Sequence, residues 1–164
     1  MVDPAVAGRR RLGGELKIQT EVLEELHAHA RECYPDECCG VVVMDGDGRQ
    51  WAVRIRNIQD EMHRADPERY PRTARNAYTG HPQDLKRALD DAQAPGRVLA
   101  AFYHSHPDHK AYFSAEDVAQ ATPFGEPSYP DAVQVVVSIY GDEIRDVKAF
   151  AWSADAADFV EVQI

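Results

Sequence analysis

The run from Val98 to Pro107 constrains the fold of this chain more than any other stretch. Val98-Leu99-Ala100-Ala101-Phe102-Tyr103 is apolar throughout and reads as a buried strand. It leads directly into His104-Ser105-His106-Pro107. On a strand, residues i and i+2 point to the same face. His104 and His106 therefore present both imidazoles on one side, and Ser105 faces the other. Pro107 cannot donate to a strand ladder, so the strand is expected to stop there. Ser114-Ala115-Glu116-Asp117 then has the character of a helix start, with Ser114 as the cap and Asp117 in the first turn, where its charge favours the helix dipole. Two imidazoles and one carboxylate are ligands of the right hardness for zinc. Three protein ligands, with a fourth place left for water, are the pattern of a catalytic zinc site rather than a structural one.

A hydrolytic site of that kind needs a base, and Glu37 is the upstream candidate. It sits in Pro35-Asp36-Glu37-Cys38-Cys39-Gly40, ahead of the apolar run Val41-Val42-Val43-Met44. That puts it at the junction of an expected helix and an expected strand.

Glu37-Cys38-Cys39-Gly40, followed by His104-Ser105-His106-Pro107 and Ser114-Ala115-Glu116-Asp117, resembles the JAMM (MPN+) metalloprotease family. The pattern is a distant Glu, then His-x-His-Pro, six residues, Ser, two residues and Asp. The chain matches it without a gap, and the resemblance runs from about Leu16 to the C-terminus. It implies that His104, His106 and Asp117 bind one zinc per chain and that Glu37 is the general base. Ser114 would hydrogen-bond the scissile carbonyl oxygen. It also implies cleavage of an amide or isopeptide bond after the C-terminal Gly-Gly of a ubiquitin-like protein. The short single-domain versions resemble the prokaryotic branch, whose partner is a ubiquitin-like sulfur carrier. His109 is not required by the pattern and is expected in a loop. Two other readings stay open: a zinc hydrolase acting on a small amide, and a non-catalytic scaffold of the same family.

The rest of the chain sets bounds. Its 164 residues suit one domain, expected over 15–164 behind a mobile tail over 1–14. The formal net charge of −10 argues against a nucleic-acid partner, which would need a basic face. No apolar stretch approaches the ~20 residues that span a membrane, and no secretory signal is visible, so a cytoplasmic location is expected. Cys33, Cys38 and Cys39 are odd in number, and two are adjacent, which does not fit a disulfide framework. Cys39 reads as a small buried residue. The oligomeric state is left open, a homodimer included.

The expected architecture is mixed α/β: one curved mixed sheet with helices on its faces. The family resemblance implies the same, a fold similar to that of cytidine deaminases. Glu15 to Gln19 is expected as a short strand, and Thr20 as the cap of a helix with Val22, Leu23, Leu26 and Ala30 on one face. Strands are expected at Gly40 to Met44 and Trp51 to Asn57, joined by the turn Asp45-Gly46-Asp47-Gly48. Ile58 to Arg75 reads as a polar loop carrying Arg64, Arg69, Arg72 and Arg75, either solvated or a docking surface near the site. Asn76 to Thr79 is expected as a short strand and His81-Pro82 as a helix start. Ala132 to Tyr140, Val147 to Trp152 and Phe159 to Ile164 complete the sheet.

Overall fold

A computed structural model describes residues 16–164. The expected tail over 1–14 and the first residue of the expected strand at Glu15 lie outside the described residues. Leu16 to Gln19 form no strand, although Leu16 and Ile18 are buried in the core. Ten elements follow in chain order: α1 (Thr20–Cys33), β1 (Cys39–Asp45), β2 (Gln50–Ile55), α2 (Gln59–Ala65), α3 (Pro82–Ala92), β3 (Arg97–Pro107), α4 (Ala115–Ala121), β4 (Val133–Tyr140), β5 (Glu143–Ser153) and β6 (Asp158–Val162).

The strands form one mixed sheet in the order β2-β1-β3-β4-β5-β6. Only the β3–β4 pair is parallel, so the chain must cross over between them, and α4 lies on that crossover. Side-chain alternation divides the core between the two sheet faces. On one, Val22, Leu26 and Ala30 of α1 pack with Cys38, Val42, Ala101, Tyr103, Val135 and Val137. On the other, Ala88 and Ala92 of α3 pack with Cys39, Val41, Val43 and Ile55. Strands covered on both faces need continuous apolar runs, which is why β1 and β4 read so clearly in the sequence. Among the described residues, no helix is long and apolar enough to cross a membrane.

Gly40 is required by its cross-strand partner. It lies opposite Tyr103, and a Cβ there would meet the tyrosine ring at 2.5 Å. The ring fills that space, and its hydroxyl lies 2.7 Å from Nδ1 of buried His29 on α1.

Four further local expectations change. Gln19, not Thr20, is the N-cap of α1, and no side chain caps it. The Ile58–Arg75 stretch contains a helix, α2, whose acidic first turn (Asp60, Glu61) and basic last turn (His63, Arg64) suit the helix dipole. It has almost no apolar periodicity, which is why it reads as loop. Asn76 to Thr79 is not a strand. That stretch is held instead by the Ile58 N–H on the Thr79 carbonyl and by a single bridge between Asn57 and Gly80. Finally, β5 begins at Glu143 rather than Val147: pairing with Ile139 and Tyr140 extends it, but exposed Glu143, Arg145 and Asp146 around half-buried Ile144 leave no apolar run to read.

Candidate metal centre and its cleft

Register on β3 builds the site. β1 and β3 pair antiparallel with Cys39 opposite His104, so continuing that register two residues places Glu37 opposite His106. Ser105, on the other face, locks the junction: its hydroxyl accepts the Cys38 N–H at 2.8 Å, and its own N–H donates to the Cys38 carbonyl. β3 ends at Pro107, as the sequence predicts. Asp108 then takes a left-handed conformation (φ 60), tolerated by Asp more than by most residues. Its carboxylate accepts the Tyr34 hydroxyl at 2.8 Å.

The chain returns through α4. Ser114 caps it, accepting the Asp117 N–H at 3.1 Å, while the Asp117 carboxylate accepts the Ser114 N–H at 3.0 Å. This reciprocal box fixes the rotamer of Asp117 and turns its Oδ2 toward β3. The three expected ligand atoms then form a nearly equilateral triangle. His104 Nε2 is 3.1 Å from His106 Nε2, and Asp117 Oδ2 is 3.2 Å and 3.3 Å from them. All three residues are buried.

That triangle fits a tetrahedral cation. Ligand atoms about 2.0–2.1 Å from zinc stand about 3.3–3.4 Å apart on a tetrahedral face. Two imidazole nitrogens and a carboxylate oxygen in mutual contact are otherwise hard to satisfy, since each offers a lone pair to the same point. His106 is prepared for the role: its Nδ1 lies 2.9 Å from the Lys110 carbonyl, which fixes the N–H there and leaves Nε2 as the acceptor. His104 Nδ1 is buried without a partner. Stacking on Tyr78, with ring centroids 4.7 Å apart, orients that ring instead.

Burial and charge shift the site in opposing directions. Burial pushes Glu37 up to about 8, helped by the nearby Asp117 charge and opposed by His106 and Arg72. Burial also works to raise Asp117, but in the metal-free protein, where the His104 and His106 rings can carry a proton toward it, their hydrogen bonds outweigh burial and hold that carboxyl well below its usual range. Burial lowers His104. The buried thiols are inert by the same rule: burial pushes Cys38 up to about 12 and raises Cys39 as well.

Glu37, His106, Ser114 and Asp117 share one cleft of about 260 Å³, whose far wall is the 72–78 segment. Arg72 belongs to the stretch that the sequence offers as a solvated loop or a docking surface near the site, whereas Asn76 to Tyr78 gives no such signal. Asn57 organises this wall: its amide NH2 donates to the carbonyls of Glu37 (3.0 Å) and Ala77 (3.2 Å), and its oxygen accepts the N–H groups of Gln59 and Thr79. Buried Gln59 adds a bond to the Arg72 carbonyl at 3.0 Å, and the Glu37 N–H donates to the Ala74 carbonyl at 2.7 Å. Tyr78 and Arg72 reach the cleft from this wall. His109 lies at its edge, exposed and outside the triangle. Of the four arginines, only Arg72 lines the cleft.

A family model described as prokaryotic homologs of the JAB domain matches residues 19–153. The chain is 30% identical over 136 residues to a Mycobacterium tuberculosis protein named CysO-cysteine peptidase, covering 82% of this chain and 81% of that one. It is 28% identical over 144 residues to a Haloferax volcanii protein named desampylase, covering 80% and 93%. A solution structure of a Salinibacter ruber protein superposes with a TM-score of 0.57 at 25% identity, covering 91% of this chain and 90% of that one.

Proposed function

The chain belongs to the family of prokaryotic homologs of the JAB domain, and from that membership we propose that it is a zinc-dependent peptidase. It hydrolyses the amide bond after the C-terminal Gly-Gly of a ubiquitin-like, sulfur-carrier-type protein. The observation that carries the reading is the triangle of His104 Nε2, His106 Nε2 and Asp117 Oδ2, with edges of 3.1–3.3 Å, beside a buried Glu37. The relatives named CysO-cysteine peptidase and desampylase support a hydrolase of such conjugates.

In this reading His104, His106 and Asp117 hold the metal. When bound there, zinc supplies Lewis-acid chemistry: it lowers the pKa of water to about 7, and its charge favours the ionised form of a nearby carboxylate. Glu37 takes a proton from the attacking water and delivers it to the departing nitrogen. The C–N bond breaks, the water oxygen stays on the glycine carbonyl carbon, and the products are a free Gly-Gly carboxylate and an amine. Ser114 has a proton to spare for this step. Its oxygen already accepts the Asp117 N–H, so its O–H is left to donate to the negative oxygen that develops on the carbonyl. Glycine is suited to the entering tail because it has no side chain to clash in a narrow cleft.

The test is incubation of the zinc-loaded protein with ubiquitin-like sulfur-carrier proteins bearing extensions beyond Gly-Gly, read by mass spectrometry. Cleavage after the second glycine, lost with a chelator and restored by zinc, is the expected result. Turnover of small amides with no action on any carrier conjugate would overturn the reading.

A further inference from the structure

One fixed cation in the cleft has no part in the hydrolysis just described. Arg72 is the only Arg or Lys among the described residues lining it. Its main chain is held firmly: the Arg72 carbonyl accepts from buried Gln59, and two residues on Ala74 is tied to both Glu37 and Asp60. Its guanidinium is held loosely. Nη2 donates to Glu116 Oε1 at 2.6 Å, and Nη1 reaches the Asn76 carbonyl at a long 3.4 Å. Both side chains of the ion pair are about half exposed, at 44% and 56%. A solvated pair of this kind contributes about 0–1 kcal/mol, so it exchanges readily for a better partner.

The chemistry of the leaving group names that partner. A Gly-Gly tail brings no charge into the cleft. A lysine joined through its side chain brings only methylenes near the cut, because its own carboxyl is tied up in the main chain. A single amino acid joined through its α-nitrogen is different. Its carboxylate sits on the carbon that bears the departing amine, so it enters the same cleft wherever Glu37 reaches that amine. Arginine matches a carboxylate in a planar two-point contact that lysine cannot reproduce.

We propose that Arg72 is the receptor for the free α-carboxylate of a single amino acid released from the Gly-Gly end, which makes this enzyme an exopeptidase rather than an isopeptidase. The inference rests on the reading of the reaction given above. Arg72 exchanges Glu116 for the substrate carboxylate, and Glu116 is the competitor that the substrate displaces.

The experiment uses one sulfur-carrier protein with its Gly-Gly end extended by one alanine, made as the free acid and as the carboxamide. The wild-type enzyme is expected to favour the acid by tenfold or more in kcat/KM. Arg72→Gln, an exposed change whose fold is checked by its melting temperature, should bring the ratio near one. Arg72→Lys should keep part of the preference, and Glu116→Gln should raise it. Calorimetry with the Glu37→Gln protein should show the same preference in Kd, independent of turnover. Equal turnover of acid and amide by the wild type, or a preference that survives Arg72→Gln, overturns the inference and leaves the reaction standing. Turnover of neither substrate overturns both.

Discussion

The two walls of the cleft are held by different forces. The β3–α4 wall is built from a strand ladder and a helix cap, so His106 and Asp117 are fixed by backbone groups within a few residues, while the His104 ring also leans on Tyr78. The 57–81 wall has no ladder. It is held by the side-chain amides of Asn57 and Gln59, which bond backbone groups far along the chain. The first wall suits chemistry, where tenths of an ångström matter. The second places Arg72 and Tyr78 through side-chain bridges to distant backbone, with the Arg72 guanidinium left half exposed to meet a substrate.

Breaking the first wall should have the largest effect. His104→Ala or Asp117→Ala should lose most of the zinc, expected at one per chain, and turnover with it. Metal analysis of the purified proteins checks this, and zinc that depended on Cys38 or Cys39 instead would refute the ligand set.

Next comes Glu37→Gln, which should keep zinc and lose a hundredfold or more in turnover, the order of effect of a general base. It should also gain stability in the metal-free state. Glu37 is pushed up to about 8 in the folded protein from 4.5. The folded state therefore holds a proton that the unfolded state has released between those values. Stability is full below pH 4.5 and falls as pH rises toward about 8, by up to roughly 1.4 kcal/mol per pH unit. A flat melting profile between pH 6.5 and 8 in wild type, measured without metal, would remove the burial argument.

The second wall should fail more gently. Asn57→Ala unpairs four partly buried backbone groups, worth on the order of 1–3 kcal/mol. At about 2–4 °C per kcal/mol for a chain of this size, the melting temperature should fall by several degrees. KM should rise more than kcat falls. A large kcat defect at unchanged KM would mean that this wall also positions the reacting groups.

The smallest effect lies away from the cleft. Burial pushes His29 down to about 4 from 6.5, with the Tyr103 hydroxyl as its hydrogen-bond partner. The unfolded chain takes up that proton first, so stability is full above pH 6.5 and falls as pH drops toward about 4. The sign is opposite to that of Glu37. His29→Gln should remove this contribution, so that stability falls with rising pH already between pH 4.5 and 6.5, and should leave the profile above pH 6.5 unchanged, as thermal melts of metal-free protein across both windows can test.

The same contrast explains what the sequence could show. His104, His106, Ser114 and Asp117 lie within one strand and one helix start, where periodicity and capping chemistry place side chains directly. Their convergence in the structure follows from that short span. Glu37 reaches the site through strand pairing, so its place at a helix–strand junction makes it a candidate base, and the resemblance to a known family ties it to the others. Asn57, Gln59 and Tyr78 act through long-range contacts and leave no local pattern, and Arg72 shows only as one of four clustered arginines, of which it alone lines the cleft. α2 was missed for a related reason: it buries almost nothing apolar, and Gln59 is its one buried residue.

A single oxygen, Asp117 Oδ2, serves both the capping box of α4 and the metal triangle. Whatever occupies the triangle is thus thermodynamically linked to the winding of α4, and the coupling is reciprocal. Cation binding should slow amide hydrogen exchange through Ala115–Ala121, and loosening of that helix should weaken the cation by the same factor. This short helix is therefore a built-in gauge of occupancy, readable without any substrate.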